Sequence, residues 1–107
     1  MFKVINNRGF QVTHNGVVIS VMFGDGNYCE NGHTGTSRVV DGAMSCVDAE
    51  IALWEENDFN GAWLTREFYR DVYDKNPNDD VLGRCSTDVL VDAINWVDAI
   101  NWANERK

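Results

Sequence analysis

Alternating apolar and polar residues in the first 23 positions predict an antiparallel β-meander. Residues 2–5 form one short strand, and residues 10–14 alternate as a half-buried strand does. Residues 17–23 are mostly apolar and β-branched, which favours a third strand. The dipeptide Asn15-Gly16 between the last two strands is the strongest short hairpin signal, because a type I′ turn needs positive φ at both central residues.

A pentapeptide, Asp-Ala-Ile-Asn-Trp, occurs twice near the end of the chain, at residues 92–96 and 98–102. Each residue advances a helix by about 100°, so residues six positions apart lie roughly 120° away from each other. Trp96 and Trp102 therefore cannot share one helix face. If Trp96 lies at the edge of a core, Trp102 is left on the solvent side, and an exposed tryptophan suggests a contact surface.

The residues around this repeat predict a C-terminal helix. Ser86 or Thr87 can cap it, and Asp88 is well placed against the helix dipole. The apolar stripe facing the core would consist of Leu90, Ala93, Ile94, Val97 and Ile100, with Val89 and Trp96 at its margin. The opposite side would present Val91, Asn95, Ala99 and Trp102, near Asp98.

The middle of the chain has a less regular pattern. Residues 24–46 are rich in Gly, Asn and Ser and predict a long loop, with one short strand near residues 37–40. Residues 48–65 flank an Asn-Gly turn and predict a second hairpin. A helix from Ser45 is the alternative, because Ser45 and Asp48 approximate a capping box.

Two further elements complete the predicted fold. Helix-like spacing over residues 66–76 predicts a short helix, which would end before Pro77 because proline disfavours helical backbone in the preceding residue. Residues 81–85 predict another strand. We therefore expect one α+β domain over residues 1–107, with a mostly antiparallel sheet and the C-terminal helix packed on one face of it.

Charge is distributed unevenly along the chain, whose net charge is −8. Residues 1–40 carry three bases and two acids, whereas residues 41–107 carry six bases and fifteen acids, a net charge of −9. An acidic excess of this size repels phosphates, so direct binding of DNA or RNA is not expected. It suits a partner with a basic surface, because complementary fields speed encounter, although acidity also keeps a protein soluble.

The sequence favours a cytoplasmic protein without a cofactor or membrane contact. No apolar run approaches the length of a membrane span, and polar residues follow the first strand too soon for a signal peptide. The three cysteines, Cys29, Cys46 and Cys85, form no close pair, which argues against a disulfide framework and fits a reducing compartment.

Residues 56–67 approximate an EF-hand calcium loop. Such a loop needs oxygen ligands at positions one, three and five, glycine at six and a bidentate glutamate at twelve. These positions hold Glu56, Asp58, Asn60, Gly61 and Glu67. Two departures favour a hairpin turn without metal: glutamate replaces the usual first aspartate, and Leu64 at the ninth position offers no side-chain oxygen.

Cys29 and His33 place a thiol and an imidazole close together on a predicted loop. With Cys46 or Cys85 they would form a zinc site, and alone they would serve as nucleophile and base of a small hydrolase. Neither arrangement has the usual ligand spacing, and isolated cysteines are most often small buried hydrophobic residues. We therefore predict that the protein is not an enzyme.

Three segments resemble a group of small accessory proteins from tailed phages and prophages. The segments are Gly-Asn-Tyr-Cys at 26–29, Ala-Glu-Ile-Ala-Leu-Trp at 49–54 and Gly-Ala-Trp-Leu-Thr at 61–65, so the resemblance covers mainly residues 1–65. It implies an accessory gene product of the size and acidity common among inhibitors of host defence, such as anti-CRISPR proteins. No catalytic residue follows from it.

These features together predict a non-enzymatic protein that binds another protein through an acidic, tryptophan-bearing surface. The predicted contact residues are Trp102, Trp96, Asp98, Asn95 and Val91. The expected partner is a host protein with a basic surface, and a second copy of the chain is the alternative. A calcium-binding or small-ligand-binding module is the competing hypothesis.

Overall fold

The computed structural model describes residues 1–5, 8–24, 39–40, 43–57 and 63–104, with residues 39–40, 43–44 and 101–104 described by their backbone alone. These ranges contain strands and helices in an α+β arrangement. In chain order they are β1 (Phe2–Ile5), β2 (Gly9–His14), β3 (Val17–Met22), β4 (Val39–Val40), β5 (Ala43–Met44), β6 (Ala49–Glu55), α1 (Thr65–Tyr73), β7 (Leu82–Cys85) and α2 (Thr87–Asn104).

Five strands form one antiparallel sheet in the order β1-β2-β3-β6-β7. Its first three strands are the predicted meander. Asn15 and Gly16 join β2 to β3 with φ of 53° and 79°, the positive values that the predicted turn requires. β4 and β5 pair only with each other, and β4 overlaps the short strand expected near residues 37–40. The predicted α+β class with an antiparallel sheet is confirmed.

The core lies on one face of this sheet, between the central strands and the two helices. Side chains alternate between the two faces of a strand, so alternate residues of β3 and β6 point toward the helices. α2 packs over β3 and β7, and α1 packs over β6. The most deeply buried members of the core are Ile19, Ile51 and Leu53 from the strands and Phe68, Ala93 and Val97 from the helices.

The predicted second hairpin is wrong in its second half. Ala49–Glu55 form the expected strand, which also excludes a helix from Ser45. Among the described residues of the returning chain, Trp63 forms an isolated antiparallel bridge with Trp54, the Leu64 N–H bonds to the Leu53 carbonyl, and Thr65 already begins α1. The buried side chain of Thr65 then takes the place of a backbone hydrogen-bonding partner for Leu53. The Leu53 backbone N–H donates to Thr65 Oγ1 (3.0 Å), and this hydroxyl donates to the Leu53 carbonyl oxygen (3.3 Å). The chain can therefore begin α1 without leaving that N–H unsatisfied.

Aromatic and acidic side chains connect the two helices. The Trp96 ring contacts the Phe68 ring, with centroids 5.7 Å apart, and Trp96 Nε1–H donates to Asp71 Oδ2 (3.1 Å). The Tyr73 hydroxyl donates to Asp92 Oδ2 (2.6 Å), and partial burial together with this bond raises the pKa of Tyr73. Trp96 thus lies at the margin of the core, as predicted from the repeat.

The remaining predicted elements are close to those observed. The helix expected over 66–76 is α1, and it ends at Asp74 with a left-handed φ of 55°. In α2 the predicted stripe is buried at Ala93 and Val97, but Ile94 is exposed, which corrects its assignment to the core. None of the helices in the described residues is long and apolar enough to cross a membrane.

Candidate interaction surface

β1 and β2, at one side of the sheet, carry apolar side chains on the same face that the helices cover over β3, β6 and β7. Val12 lies opposite Ile19 of the core, and Phe2 lies opposite Val12, so all three side chains share that face. Val4 points the same way, because it is two residues further along β1. Phe2 is nevertheless 87% exposed and Val4 83% exposed. The helix layer therefore leaves the outer part of the sheet uncovered.

One side of α2 forms a wall beside this uncovered region. At one end of the wall, Leu90 lines the same cavity as Phe10 of β2. At the other end, Asp98 Oδ1 lies 3.1 Å from His14 Nε2. Ile94 is one helical turn from Leu90 and from Asp98, so it lies beside the middle of β2. Its side chain is 42% exposed.

We call the resulting surface the open face and define it by Phe2, Val4, Val12, Ile94 and Val91. Val91 is on the outer side of α2 and is 55% exposed. Large apolar side chains scattered singly are normal on a protein surface, whereas several of them on adjacent elements mark interaction sites. The open face is therefore the strongest candidate site among the described residues.

The five contact residues predicted from the sequence do not all lie on one surface in the structure. Val91 and Asn95 are exposed on the outer side of α2, as predicted. Asp98 is exposed but is bound to the β2–β3 hairpin rather than pointing away from the domain. Trp96 is half-buried, with its ring against Phe68 and its Nε1–H bound to Asp71, so its contact with a partner stays a prediction. The side chain of Trp102 lies outside the described residues.

Negative charge borders the open face at Asp98 of α2. The helix contains three aspartates and no lysine or arginine. Asp92 is held by Tyr73 on the α1 side, whereas the Asp98 side chain is 71% exposed beside the hairpin, where Asn15 Nδ2 also lies 3.3 Å from it. A partner that covers the open face therefore meets the Asp98 carboxylate on the helix side.

β1 also presents backbone hydrogen-bonding groups at the edge of the sheet. Met1 and Thr13 exchange two hydrogen bonds, of 3.0 and 2.8 Å, between their main-chain groups. In an antiparallel pair, such residues alternate with residues whose N–H and C=O point away from the partner strand. Lys3 therefore faces β2, whereas the main-chain groups of Phe2 and Val4 face outward.

The segment before the predicted calcium loop is not the helix that an EF-hand requires. An EF-hand loop lies between two helices, but the segment before Glu56 is the strand β6. Glu56 and Glu67 are both exposed, and Asp58 and Asn60 lie outside the described residues. No group of three or more His, Cys, Asp or Glu side chains in the described part of the chain could hold a metal ion. Calcium binding by this loop stays an untested prediction.

Burial argues against Cys85 as a nucleophile. Burial raises the pKa of the Cys85 thiol to about 11, so it stays protonated near neutral pH, and it donates to the Leu82 carbonyl oxygen at 3.4 Å. Cys46 is half-buried, with Sγ 3.6 Å from Asp48 Oδ1. Cys29 and His33 lie outside the described residues, so their proposed pairing stays a prediction.

Sequence reasoning missed Phe2, Val4 and Ile94 as surface residues. All three belong to correctly predicted elements, but Phe2 and Val4 were assigned to no surface and Ile94 was assigned to the core-facing stripe of α2. A signal was present in β1, where Lys3 stands between Phe2 and Val4, because lysine is common on the edge strands of sheets. Ile94 offered no such signal.

Comparison with family profiles, with curated proteins and with solved structures finds no match for this chain.

Proposed function

We propose that this chain is a non-catalytic binding protein and that its open face docks another protein. The observation that carries the proposal is the exposure of Phe2, Val4 and Ile94 on the face where the core forms elsewhere. Burial of one phenylalanine, valine or isoleucine side chain contributes about 1.5–3 kcal/mol. Three such anchors beside a strand edge that is unpaired among the described residues can therefore supply the centre of a specific interface.

Charge indicates the chemistry of the partner. The exposed Asp98 carboxylate and a chain net charge of −8 favour a partner whose apolar patch is bordered by lysine or arginine. A second copy of the chain carries the same negative charge, so self-association is opposed by repulsion. The homodimer is therefore the outcome that a binding experiment must separate from a different partner.

The resemblance of residues 1–65 to phage accessory proteins supports a narrower form of the proposal. In that form the partner is a host defence protein whose basic, nucleic-acid-binding site is occluded. This narrower form depends on the resemblance, and the genes next to the coding sequence test it. Neighbouring phage structural or anti-defence genes would support it, and a metabolic operon would contradict it.

Site-specific photo-crosslinking tests the proposal directly. A photoreactive amino acid replaces Val4, and the protein is expressed in the cells that naturally contain it. We expect one crosslinked species of defined mass, whose second component mass spectrometry identifies. Sedimentation of the purified protein shows whether that component is a second copy.

Two lysine substitutions on exposed helix positions provide the specificity control. Ile94→Lys places a charge in the open face, whereas Val72→Lys places it on α1 at a position of similar exposure, 40% against 42%. We expect Ile94→Lys to weaken binding at least about 30-fold, the loss that marks an interface hot spot, and Val72→Lys to leave it unchanged. Equal binding by both variants would contradict the proposal.

A further inference from the structure

A cavity of about 290 Å³ opens at the start of α2, at the end of the sheet away from His14 and Asp98. It lies between the end of β3, residues 45–49, the end of β7 and the first turn of α2. Protein interiors are packed about as densely as organic crystals, and voids larger than one water molecule are few. This cavity has the volume of roughly ten water molecules, near the lower limit for ligand pockets.

The walls of the cavity are mostly apolar, with three hydroxyl side chains and one carboxylate among the lining residues. Phe10 and Phe23 contribute aromatic rings, Val21 and Leu90 contribute aliphatic groups, and Cys85 contributes a buried thiol. Such a lining offers few partners for the phosphates and multiple hydroxyls of a nucleotide or sugar phosphate, and its carboxylate repels a phosphate. It favours a compact aromatic molecule, which can pack against the two phenylalanine rings.

The polar groups of the cavity limit the charge of the ligand. Asp48 lines it, with Oδ1 3.6 Å from Cys46 Sγ and Oδ2 3.8 Å from Arg84 Nη1. The Asp48 carboxylate disfavours an anionic ligand, and the Arg84 guanidinium disfavours a cationic one. A carboxylate has about four lone-pair positions, so it can accept a further hydrogen bond from a neutral donor.

We propose that this cavity binds a small neutral aromatic molecule with one hydrogen-bond donor, of the phenol class. The ring lies between Phe10 and Phe23, and the hydroxyl of the ligand donates to Asp48. This site adjoins the open face at Phe10 and Leu90, but none of the five residues that define the open face lines it, so the proposal does not depend on the binding of a partner protein.

Phenol itself is the probe, and amide chemical shifts of the labelled protein are the readout. We expect saturable shifts confined to residues around the cavity, including Phe10, Phe23 and residues 46–49, with a dissociation constant on the order of 1 mM or tighter. Toluene lacks the donor and benzoate carries a negative charge, so toluene should bind several-fold more weakly than phenol and benzoate more weakly still. Benzoate binding as tight as that of phenol would overturn the proposal, as would shifts that do not saturate.

A cavity-filling variant provides a second, structural test. Ala49 lines the cavity from β6, and Ala49→Leu fills part of the space. We expect it to weaken phenol binding at least about tenfold while the amide spectrum stays that of a folded protein. A folded Ala49→Leu variant with unchanged affinity would place phenol elsewhere and refute the assignment. If that variant does not fold, the comparison of phenol, toluene and benzoate on the unmodified chain decides the question.

Discussion

Replacement of Thr65 by valine tests the contact that ends the pairing of β6 and starts α1. Valine keeps the shape of the threonine side chain and removes its hydroxyl. The Leu53 N–H then loses its acceptor at a fully buried position, whereas the Leu53 carbonyl keeps its bond from the Leu64 N–H at 2.9 Å. The substitution therefore leaves one buried donor unsatisfied and changes little else.

The expected loss follows from the cost of that donor. An unsatisfied buried N–H costs about 1–3 kcal/mol, so we expect Thr65→Val to lower the free energy of unfolding by about 2 kcal/mol. In a domain of this size such a loss lowers Tm by roughly 8–16 °C. Thr65→Ser keeps the hydroxyl and removes one methyl group, which should cost only about 1 kcal/mol.

Urea denaturation followed by tryptophan fluorescence and by circular dichroism measures both losses. Equal m values for the three proteins would show that the comparison is valid. Thr65→Val within about 0.5 kcal/mol of the unmodified protein would refute the assigned role of the hydroxyl, because surface changes commonly have effects of that size. A serine variant less stable than the valine variant would refute it as well.

Three further predictions concern other parts of the fold. Gly9→Ala should lower the free energy of unfolding, measured in urea, more than Gly16→Ala does. A Cβ at Gly9 would lie 2.0 Å from the Val21 carbonyl oxygen, whereas a Cβ at Gly16 would have no non-neighbouring atom within 4 Å. Equal losses would contradict the pairing of β2 with β3. Because the pKa of Tyr73 is raised in the folded state, the folded protein keeps a proton that the unfolded chain releases above pH 10. The free energy of unfolding should therefore fall as pH rises beyond 10. Tyr73→Phe should reduce this fall in unfolding curves measured at pH 8 and pH 10.5. Trp96→Ala should cost at least about 2 kcal/mol in thermal unfolding, whereas a loss under about 0.5 kcal/mol would restore Trp96 as a surface residue.

Local sequence patterns were sufficient for most elements of this fold. The period of two in residues 2–5 and 10–14, and the positive φ that Asn15 and Gly16 accept, identify the meander without any tertiary information. The position of Trp96 at the core margin likewise follows from helix geometry and the apolar stripe of α2. These features depend on residues close together in the sequence.

The second hairpin could not be predicted correctly from the same patterns. Residues 62–65 have the composition of a strand, and the Asn-Gly pair before them favours a turn. The chain instead forms a helix from Thr65, because that side chain bonds to Leu53, 12 residues earlier in the sequence. A contact of this kind is set by tertiary packing, which overrides local propensity.

The open face was also beyond sequence reasoning. A helical wheel identifies the apolar side of α2 but does not show where the sheet beneath it ends. Ile94 is exposed because α2 packs over β3 and β7 rather than over β1 and β2, and Phe2 is exposed for the same reason. The order of strands and the position of the helix layer, rather than the hydrophobic pattern, decide which apolar residues remain available to a partner.

Hydrogen exchange of the complex with the protein captured at position 4 tests the central claim most directly. The outward amides of Phe2 and Val4 have no strand partner in the described structure, so they should exchange rapidly in the free protein and at least about tenfold more slowly in the complex. Slower exchange should extend to residues 91–94 and should spare α1. Protection of α1 with unchanged exchange at Phe2 and Val4 would contradict the assignment of the open face as the binding site.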